Sequence, residues 1–511
     1  MNLSKTRFMA GLQCGKRLWM QVHNPLPADE RQTSSAAEWG TYVGEKARAL
    51  FPEGLLIPAQ EIGVTKAVAQ TEAALANETI PAIFEATFLF DDLQVRVDIL
   101  ERTRGGWILN EVKGTTRLKD EHIPDIAVQL YVLRGAGLTV RKSNLIYIDN
   151  SYVRGKKLNI DKLFARQDVT DEAEEYLGEV PGKLAEFKAL LKRRTAPTVE
   201  PWSHCSTPYD CDFIERCTAK KPDDWILHLR GRWSKALEDF IEKRKIDRIS
   251  RLPADAPLSA EQATVRDVLK SGKPFVSPRL KDALKDTRHD VVYLDFETAN
   301  PAIPAFEGTR PFQAFPFQWS LHAGRPGAKL THRMFLADHK NDPRLEFARS
   351  LVDALDEFPG PILVYSPAER TIIDSLRREL PPKLGKSLDP IRDRLFDLHK
   401  VVKQHVYLVD FDNSFSLKQV APALDPSIDY SKLDGIAEGQ GASDAFANMC
   451  LGEIDDPNEV ASMRRQLEAY CTLDTLALAK VHTALLRLQP STTGQFGLPQ
   501  SSPRFSIVRS I

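Results

Sequence analysis

The chain has 511 residues, which is too many for one hydrophobic core and indicates two or three domains. Its 69 Lys and Arg residues are balanced by 70 Asp and Glu residues. The net charge of −1 therefore excludes binding of nucleic acid through a global positive field. No apolar run approaches the roughly 18 residues needed to span a bilayer, and the first 20 residues lack the apolar core of a signal peptide. Six cysteines do not make a disulfide scaffold, so we expect a cytoplasmic protein.

The first part of the chain has a helical pattern followed by strands. Residues 1–80 are mostly helical in pattern, with alanine-rich stretches. Three runs of strand type follow, AIFEATFLF, LQVRVDILERT and WILNEVKGT, and turn residues at 91–92 and 105–106 separate them. Runs joined by such tight turns predict an antiparallel meander. A helix from about His122 to Gly135 and a further strand, SNLIYIDNSYV, are predicted next.

The remainder of the chain is predicted to contain a long helix followed by strands that alternate with helices. Residues 169–196 predict one long polar helix that is interrupted at Pro181. From Val291, strands such as VVYLDFET, FQWSLH and GPILVYS alternate with helices such as RTIIDSLRREL, which is typical of an α/β domain. We therefore expect an α/β protein whose parts are a first domain at 1–220, a helical connector at 221–286, a second domain at 287–490 and a flexible tail at 491–511.

Three charged residues are predicted to meet across the meander. Glu111 and Lys113 are two apart on the third strand, so they point to the same face, and the turn brings Asp98 of the second strand beside them. Two carboxylates form an oxygen site that suits Mg²⁺ or Mn²⁺. A neighbouring lysine can stabilise the negative charge that develops on a phosphorus centre. This arrangement fits phosphodiester hydrolysis.

Four of the six cysteines form a spaced set. Cys205, Cys211 and Cys217 lie within HCSTPYDCDFIERC, and Cys14 stands near the start in GLQCGKRLW. The five-residue gaps between neighbouring cysteines lack the CxxC pair that is usual in structural zinc sites. The spacing suits a larger iron–sulfur cluster. A zinc site that uses His204, and ordinary cysteines on a loop, are the alternatives.

Together these motifs resemble the RecB-like branch of the PD-(D/E)XK nucleases, particularly CRISPR-associated members that carry an iron–sulfur cluster. In those proteins one cysteine precedes the nuclease core and three follow it. The resemblance covers the first predicted domain and implies that Asp98 and Glu111 bind Mg²⁺ or Mn²⁺ while Lys113 is catalytic. It also implies a catalytic role for Gln129, a metal-ligand role for Glu45 in GTYVGEKARALF, and a [4Fe–4S] cluster on the four cysteines.

A second set of acids lies in the predicted α/β domain. Asp295 and Glu297 are two apart on an apolar strand and share a face of it. The apolar run predicts a buried central strand, where unpaired carboxylates would be costly unless they bind metal. Tyr470 and Asp474 are four apart in EAYCTLDTLALAKVH, so they share one face of a predicted helix.

This second set resembles the DnaQ-like, RNase H-fold 3′–5′ exonucleases of the DEDDy type. The resemblance implies that the three acids hold two metal ions and that the tyrosine orients the attacking water. The missing fourth acid is predicted to be Glu369, with Asp374 and Asp397 as substitutes. The whole C-terminal pattern also resembles an uncharacterised bacterial family that is fused to RecB-like nucleases.

The motifs predict a metal-dependent nuclease, most simply an exonuclease, that acts on single-stranded DNA or DNA with free ends. The sequence lacks a GxxxxGK[ST] loop, so any unwinding would come from a helicase or another repair or defence partner, and no membrane is expected. The alternatives are a nucleic-acid-binding scaffold in which one or both nuclease sites are inactive, and a zinc-stabilised interaction protein.

Overall fold

The computed structural model describes residues 3–27 and 35–490, and the predicted tail at 491–511 lies outside them. The chain is a mixed α/β protein, which confirms that expectation. It divides into two compact units, of which the first contains the described residues up to Lys220 together with Ala302–Phe312. The second contains Lys221–Pro301 and the described residues from 313 onward, so the predicted connector belongs to this unit. None of the helices in the described ranges has the length and apolar character needed to cross a membrane.

The first unit is built on a seven-stranded sheet in the order β2-β3-β4-β5-β6-β7, with β1 paired to β4. Its strands are β1 (Leu3–Ser4), β2 (Leu55–Leu56), β3 (Ala82–Phe90), β4 (Leu93–Thr103), β5 (Gly106–Lys113), β6 (Val140–Ile148) and β7 (Phe164–Asp168). Its helices are α1 (Lys5–Gln13), α2 (Gly15–His23), α3 (Ser35–Ala47), α4 (Ala59–Ile62), α5 (Val64–Ala76), α6 (His122–Gly135), α7 (Ile160–Leu163), α8 (Thr170–Leu177), α9 (Val180–Leu191) and α10 (Ile214–Thr218).

The predicted meander is confirmed, because β4 pairs with both β3 and β5 in antiparallel register. Asp91 and Asp92 join β3 to β4 with positive φ angles of 49° and 54°, as a tight hairpin turn requires. The predicted helix α6 then carries the chain across to β6, which runs parallel to β5. The polar segment expected as one interrupted helix forms α8 and α9, and Pro181 lies in the first turn of α9, where its missing N–H costs nothing.

The second unit contains a five-stranded sheet in the order β11-β10-β9-β12-β13 and a separate pair, β14-β8. Its strands are β8 (Phe275–Val276), β9 (Val291–Ala299), β10 (Phe315–Gly324), β11 (Thr331–Leu336), β12 (Ile362–Val364), β13 (Leu395–Asp397) and β14 (Val406–Tyr407). Its helices are α11 (Lys235–Arg244), α12 (Ala260–Ser271), α13 (Leu280–Ala283), α14 (Arg344–Leu355), α15 (Ala368–Glu379), α16 (Pro382–Ser387), α17 (Asp389–Asp393), α18 (Leu398–His405), α19 (Leu417–Leu424), α20 (Gly439–Leu451) and α21 (Pro457–Arg487).

The strand β9 is the centre of this sheet, as its apolar sequence predicts. It is antiparallel to β10 and parallel to β12, and its residues Val292 and Leu294 belong to the hydrophobic core. The long helix α21 packs across β9 and β10. Its contact with β10 includes a hydrogen bond of 3.0 Å from the Gln318 side-chain amide to the Leu467 carbonyl oxygen. The helix thereby faces the side of β9 that holds the predicted acids.

Candidate functional site

The first acidic site forms where β4 and β5 lie side by side. The Asp98 carboxylate accepts a hydrogen bond of 2.8 Å from the backbone N–H of Val112, which fixes it beside β5. Lys113 Nζ donates to Glu111 Oε1 at 2.7 Å, as expected for residues that share a face of one strand. The structure therefore brings together Asp98, Glu111 and Lys113.

Helix α6 contributes two further side chains to this site. Gln129 is fully buried, and its amide donates to Glu111 Oε2 at 2.7 Å. Asp125 accepts a hydrogen bond from Lys113 at 2.6 Å. Sequence reasoning selected Gln129 but missed Asp125, although the spacing of four residues places both on one face of the helix.

A second lysine reaches the same acids from the N-terminal helix α1. Lys5 Nζ lies 2.8 Å from Glu111 Oε1 and 2.9 Å from Asp125 Oδ1. Sequence reasoning missed Lys5, since no local pattern links it to residues that lie more than 100 positions later. Two lysines and one amide thus contact the carboxylate of Glu111, whose side chain is only 1% exposed.

The charges of this site shift the protonation of its carboxyl groups. Burial and the neighbouring Glu111 raise the pKa of Asp98 to about 7. Burial would also raise the pKa of Asp125, but Lys113 and Lys5 outweigh it and hold that pKa well below its usual range. Since a bound cation favours the ionised carboxylate, metal binding would lower the pKa of Asp98.

Glu45 is not brought to this site. It lies on α3 between Val43 and Ala47, which are fully buried, whereas the Glu45 side chain is exposed. Residues two apart on a helix point about 200° apart. Val43 lies close to Gly114 at the end of β5, so Glu45 points away from the face of α3 that packs there.

The four selected cysteines come together in the first unit, where they line a single pocket: Cys14, Cys205, Cys211 and Cys217. Cys14 directly follows α1, and the backbone N–H of Cys211 donates to the Cys205 carbonyl oxygen at 2.8 Å. The Gln13 amide donates to the backbone carbonyls of His204 and Tyr209, at 2.7 and 2.6 Å. The last residue of α1 therefore holds the cysteine loop in place.

Zinc and an iron–sulfur cluster place different demands on the spacing of these thiols. Tetrahedral zinc with Zn–S bonds of about 2.3 Å would hold its sulfur ligands about 3.8 Å apart. All four cysteines lie in the described ranges, yet no three of their Sγ atoms fall within 4.8 Å of one another. An iron–sulfur cluster separates its thiolates more widely, because each thiolate binds a different iron. The four thiols are a soft donor set that suits an iron–sulfur cluster.

His204 also lines the cysteine pocket. Its ring nitrogen Nε2 is buried and has no hydrogen-bond partner within the described residues. A buried polar atom without a partner is uncommon in proteins. This nitrogen is therefore available to a group bound between the cysteines, either as a hydrogen-bond donor or as the zinc ligand considered from the sequence.

The second acidic site lies at the carboxyl end of β9, beside the parallel strand β12. Asp295 and Glu297 project from the face of β9 on which α21 packs. Glu369 lies in the first turn of α15, which follows β12, and Ser366 Oγ donates to its carboxylate at 2.8 Å. Asp474 on α21 is buried and completes the set. The other three predicted acids of this site, Asp474, Glu297 and Glu369, all lie close enough to Asp295 to raise its pKa.

Two tyrosines lie beside Asp474 in this site. The predicted Tyr470 lies one helical turn earlier on α21, close enough to oppose the rise in the pKa of this carboxylate. Tyr430, which sequence reasoning missed, donates to Asp474 Oδ1 at 2.6 Å. Lys418 lies over the ring of Tyr470, 5.0 Å from its centroid, and supplies positive charge near the acids.

The acids of the second site raise one another's pKa. Burial, followed by Asp474 and Glu297, raises the pKa of Asp295 well above its ordinary value. Burial and Asp474 raise the pKa of Glu297, while Lys418 opposes the shift. Burial also raises the pKa of Glu369 to about 7. Such a concentration of desolvated negative charge is stabilised by bound divalent cations.

The two substitutes considered for Glu369 are differently placed. Asp374, on the same helix, forms an ion pair of 3.2 Å with Arg377. Asp397 accepts a hydrogen bond from the Lys400 backbone N–H and caps α18, although its charge still reaches Glu369. Glu369 is the acid of the three that is both buried and free of an ion pair in the described part of the chain.

Two other buried groups line this site, and the sequence patterns did not select them as functional. Cys471 is fully buried, and its Sγ lies 3.7 Å from Asp295 Oδ2. Tyr365 is 9% exposed, and its hydroxyl has no hydrogen-bond partner among the described residues. The sequence could have indicated Cys471, because it lies three residues before Asp474 and residues three apart share a helix face.

Comparison with known proteins identifies one family model. A domain of unknown function, DUF2779, matches residues 292–416, which is about a quarter of the chain. The matched region contains Asp295, Glu297 and Glu369 but ends before α21. No curated protein matches the sequence.

Proposed function

We propose that this protein is a metal-dependent nuclease that hydrolyses phosphodiester bonds in DNA at two separate sites. The observation that supports this most strongly is the second acidic site, where Asp295, Glu297, Glu369 and Asp474 lie together with one nearby lysine. Burying several carboxylates without matching positive charge is costly, so their retention favours a cation-binding role. Phosphodiester hydrolysis is a chemistry that uses such paired cations.

At this second site the four acids would hold two divalent cations. When bound, such cations activate a water molecule and stabilise the charge on the attacking and leaving oxygens. The hydroxyl of Tyr470, whose side chain lies near Asp474, would orient that water, and Tyr430 restrains the same carboxylate through a hydrogen bond. The assignment is compatible with the DnaQ-like, RNase H-fold exonucleases that the motifs resemble.

At the first site, Asp98 and Glu111 would hold Mg²⁺ or Mn²⁺. Lys113, which contacts Glu111, would stabilise negative charge on the phosphate, and Gln129 orients Glu111 through its amide. Asp125 restrains Lys113, a role that the sequence did not indicate. The meander, the crossover helix α6 and the parallel strand β6 are compatible with the RecB-like PD-(D/E)XK assignment.

The four cysteines would hold an iron–sulfur cluster, proposed here as [4Fe–4S], with an architectural role. Cys14 and the loop of Cys205 to Cys217 are far apart in the sequence but line one pocket of the first unit. A shared cluster would therefore tie these two segments together. The substrate is proposed to be single-stranded DNA or DNA with free ends. Unwinding would then require a helicase partner, and we propose a cytoplasmic role in repair or phage defence.

The experiment is a cleavage assay on end-labelled single- and double-stranded DNA with Mg²⁺ or Mn²⁺. It compares the wild-type chain with Lys113→Ala, Asp295→Asn and the double variant. Matched controls are Lys142→Ala, an exposed lysine on β6, and Asp286→Asn, an exposed aspartate of the second unit. We expect each single variant to lose part of the metal-dependent cleavage and the double variant to lose all of it.

Two results would contradict the proposal. Cleavage that persists in the double variant would come from another source, and a complete lack of metal-dependent cleavage by the wild type would favour the scaffold alternative. RNA substrates in the same assay test the DNA preference. Anaerobic purification with iron, sulfide and zinc analysis tests the cluster, and colourless protein with stoichiometric zinc would overturn that part of the proposal.

A further inference from the structure

A thiol lies among the acids of the second site. Cys471 is fully buried on α21, and its sulfur faces β9, 3.7 Å from Asp295 Oδ2. One donor atom each from Asp295, Glu297 and Cys471 lies within 4.8 Å of the other two. Ligand bonds of about 2.0–2.3 Å keep the donors of one cation within about 4.5 Å of each other. One ion therefore could contact all three with small side-chain adjustments.

The carboxylate of Glu297 independently indicates a bound cation. The residue is only 6% exposed, and within residues 3–27 and 35–490 its carboxylate has neither a hydrogen bond nor an ion pair. A buried carboxylate without a partner is strongly unfavourable. Its side chain is directed at the same space as Asp295 and Cys471, so a cation there would satisfy it.

We propose that Cys471 is the third protein ligand of the cation held by Asp295 and Glu297. This inference rests on the nuclease function proposed for this site. On binding, the S–H bond breaks, the proton passes to water, and the thiolate sulfur replaces one water ligand of the ion. Thiolate ligands favour thiophilic cations of the Zn²⁺ type, whereas Mg²⁺ prefers oxygen ligands only. This position therefore takes a thiophilic divalent cation in preference to Mg²⁺.

The alternative role for Cys471 is that of a hydrogen-bond donor that positions the Asp295 carboxylate. Two substitutions separate these roles. Cys471→Ser retains a donor of similar size but cannot supply a thiolate, and Cys471→Ala removes both functions. Cys450→Ala is the matched control, because Cys450 lies on α20 and belongs to no group of metal-binding side chains in the described part of the chain.

The test is a Cd²⁺ titration of the full chain, followed by ultraviolet sulfur-to-cadmium charge-transfer absorption and by calorimetry. The four cysteines of the first unit contribute equally to the absorption of every variant. The difference between Cys471→Ala and Cys450→Ala therefore reports on the second acidic site. We expect both Cys471 variants to lose one thiolate contribution and to bind Cd²⁺ at this position at least about tenfold more weakly. The affinity for Mg²⁺, measured by calorimetry, should not fall in either Cys471 variant.

Spectra of both Cys471 variants that equal that of Cys450→Ala would overturn the thiolate ligand. Weakening in Cys471→Ala that Cys471→Ser restores would also overturn it, in favour of the hydrogen-bonding role. DNA cleavage by wild type and Asp295→Asn is measured in parallel. If Asp295→Asn loses part of the metal-dependent cleavage while the cadmium spectra of the Cys471 variants equal that of Cys450→Ala, the thiolate proposal fails alone. If the thiolate contribution is lost but wild type cleaves no DNA, the metal site stands and the nuclease proposal fails.

Discussion

Replacing Glu369 by glutamine should stabilise the metal-free protein in alkaline solution. Burial raises the pKa of Glu369 to about 7, from an ordinary value of 4.5, so the folded state disfavours its ionised form. The wild-type chain therefore loses stability as the pH rises from about 4.5 through about 7. The amide oxygen of glutamine can still accept the hydrogen bond from Ser366, so the substitution mainly removes the charge.

The size of this effect follows from the pKa difference. At about 1.36 kcal/mol for each pKa unit, the ionised carboxylate costs about 3 kcal/mol at pH 8 but only about 1 kcal/mol at pH 5. For a domain of this size, 3 kcal/mol corresponds to an increase of roughly 6–12 °C in the thermal midpoint. Glu369→Gln should therefore raise the midpoint at pH 8 and much less at pH 5.

The assay is thermal unfolding, followed by circular dichroism, in EDTA at both pH values and then with Mn²⁺. Glu346→Gln, which neutralises an exposed glutamate on α14, is the control and should change little. Added Mn²⁺ should stabilise the wild type more than Glu369→Gln, because the ion requires the carboxylate. A lower midpoint for Glu369→Gln at pH 8, or an equal increase at pH 5 and pH 8, would refute the reasoning.

Three further substitutions test other parts of the chain. Lys5→Ala, in a chain whose second site is inactivated, should reduce cleavage at the first site at least about tenfold with unchanged circular dichroism; undiminished cleavage would exclude a role for this lysine. Gln13→Ala frees two carbonyls of the cysteine loop, so iron should be lost faster in air, and unchanged iron retention would contradict that support. Gly360→Ala places a Cβ 2.2 Å from a backbone carbonyl oxygen and should cost about 1–3 kcal/mol of unfolding free energy. The control Gly441→Ala, with open space around its Cβ in α20, should stabilise by about 0.5–1 kcal/mol.

Local patterns in the sequence were sufficient to predict the framework of both acidic sites. Alternation of apolar residues and two tight turns determine β3 to β5, and the structure confirms this meander. A spacing of two on a strand pairs Asp295 with Glu297, and a spacing of four on a helix pairs Tyr470 with Asp474. These relations depend only on the periods of the strand and the helix, so they are determined within a single element.

Tertiary structure decided which elements meet, and there the local patterns were insufficient. Lys5 lies 106 residues before Glu111, and Tyr430 lies 44 residues before Asp474, yet each is in direct contact with its partner. The burial of Val43 and Ala47 turned Glu45 outward, although the resemblance to nucleases implied a metal ligand there. The periodicity of a helix relates the directions of its own side chains, whereas the face that packs inward is selected by the apolar surface of distant segments.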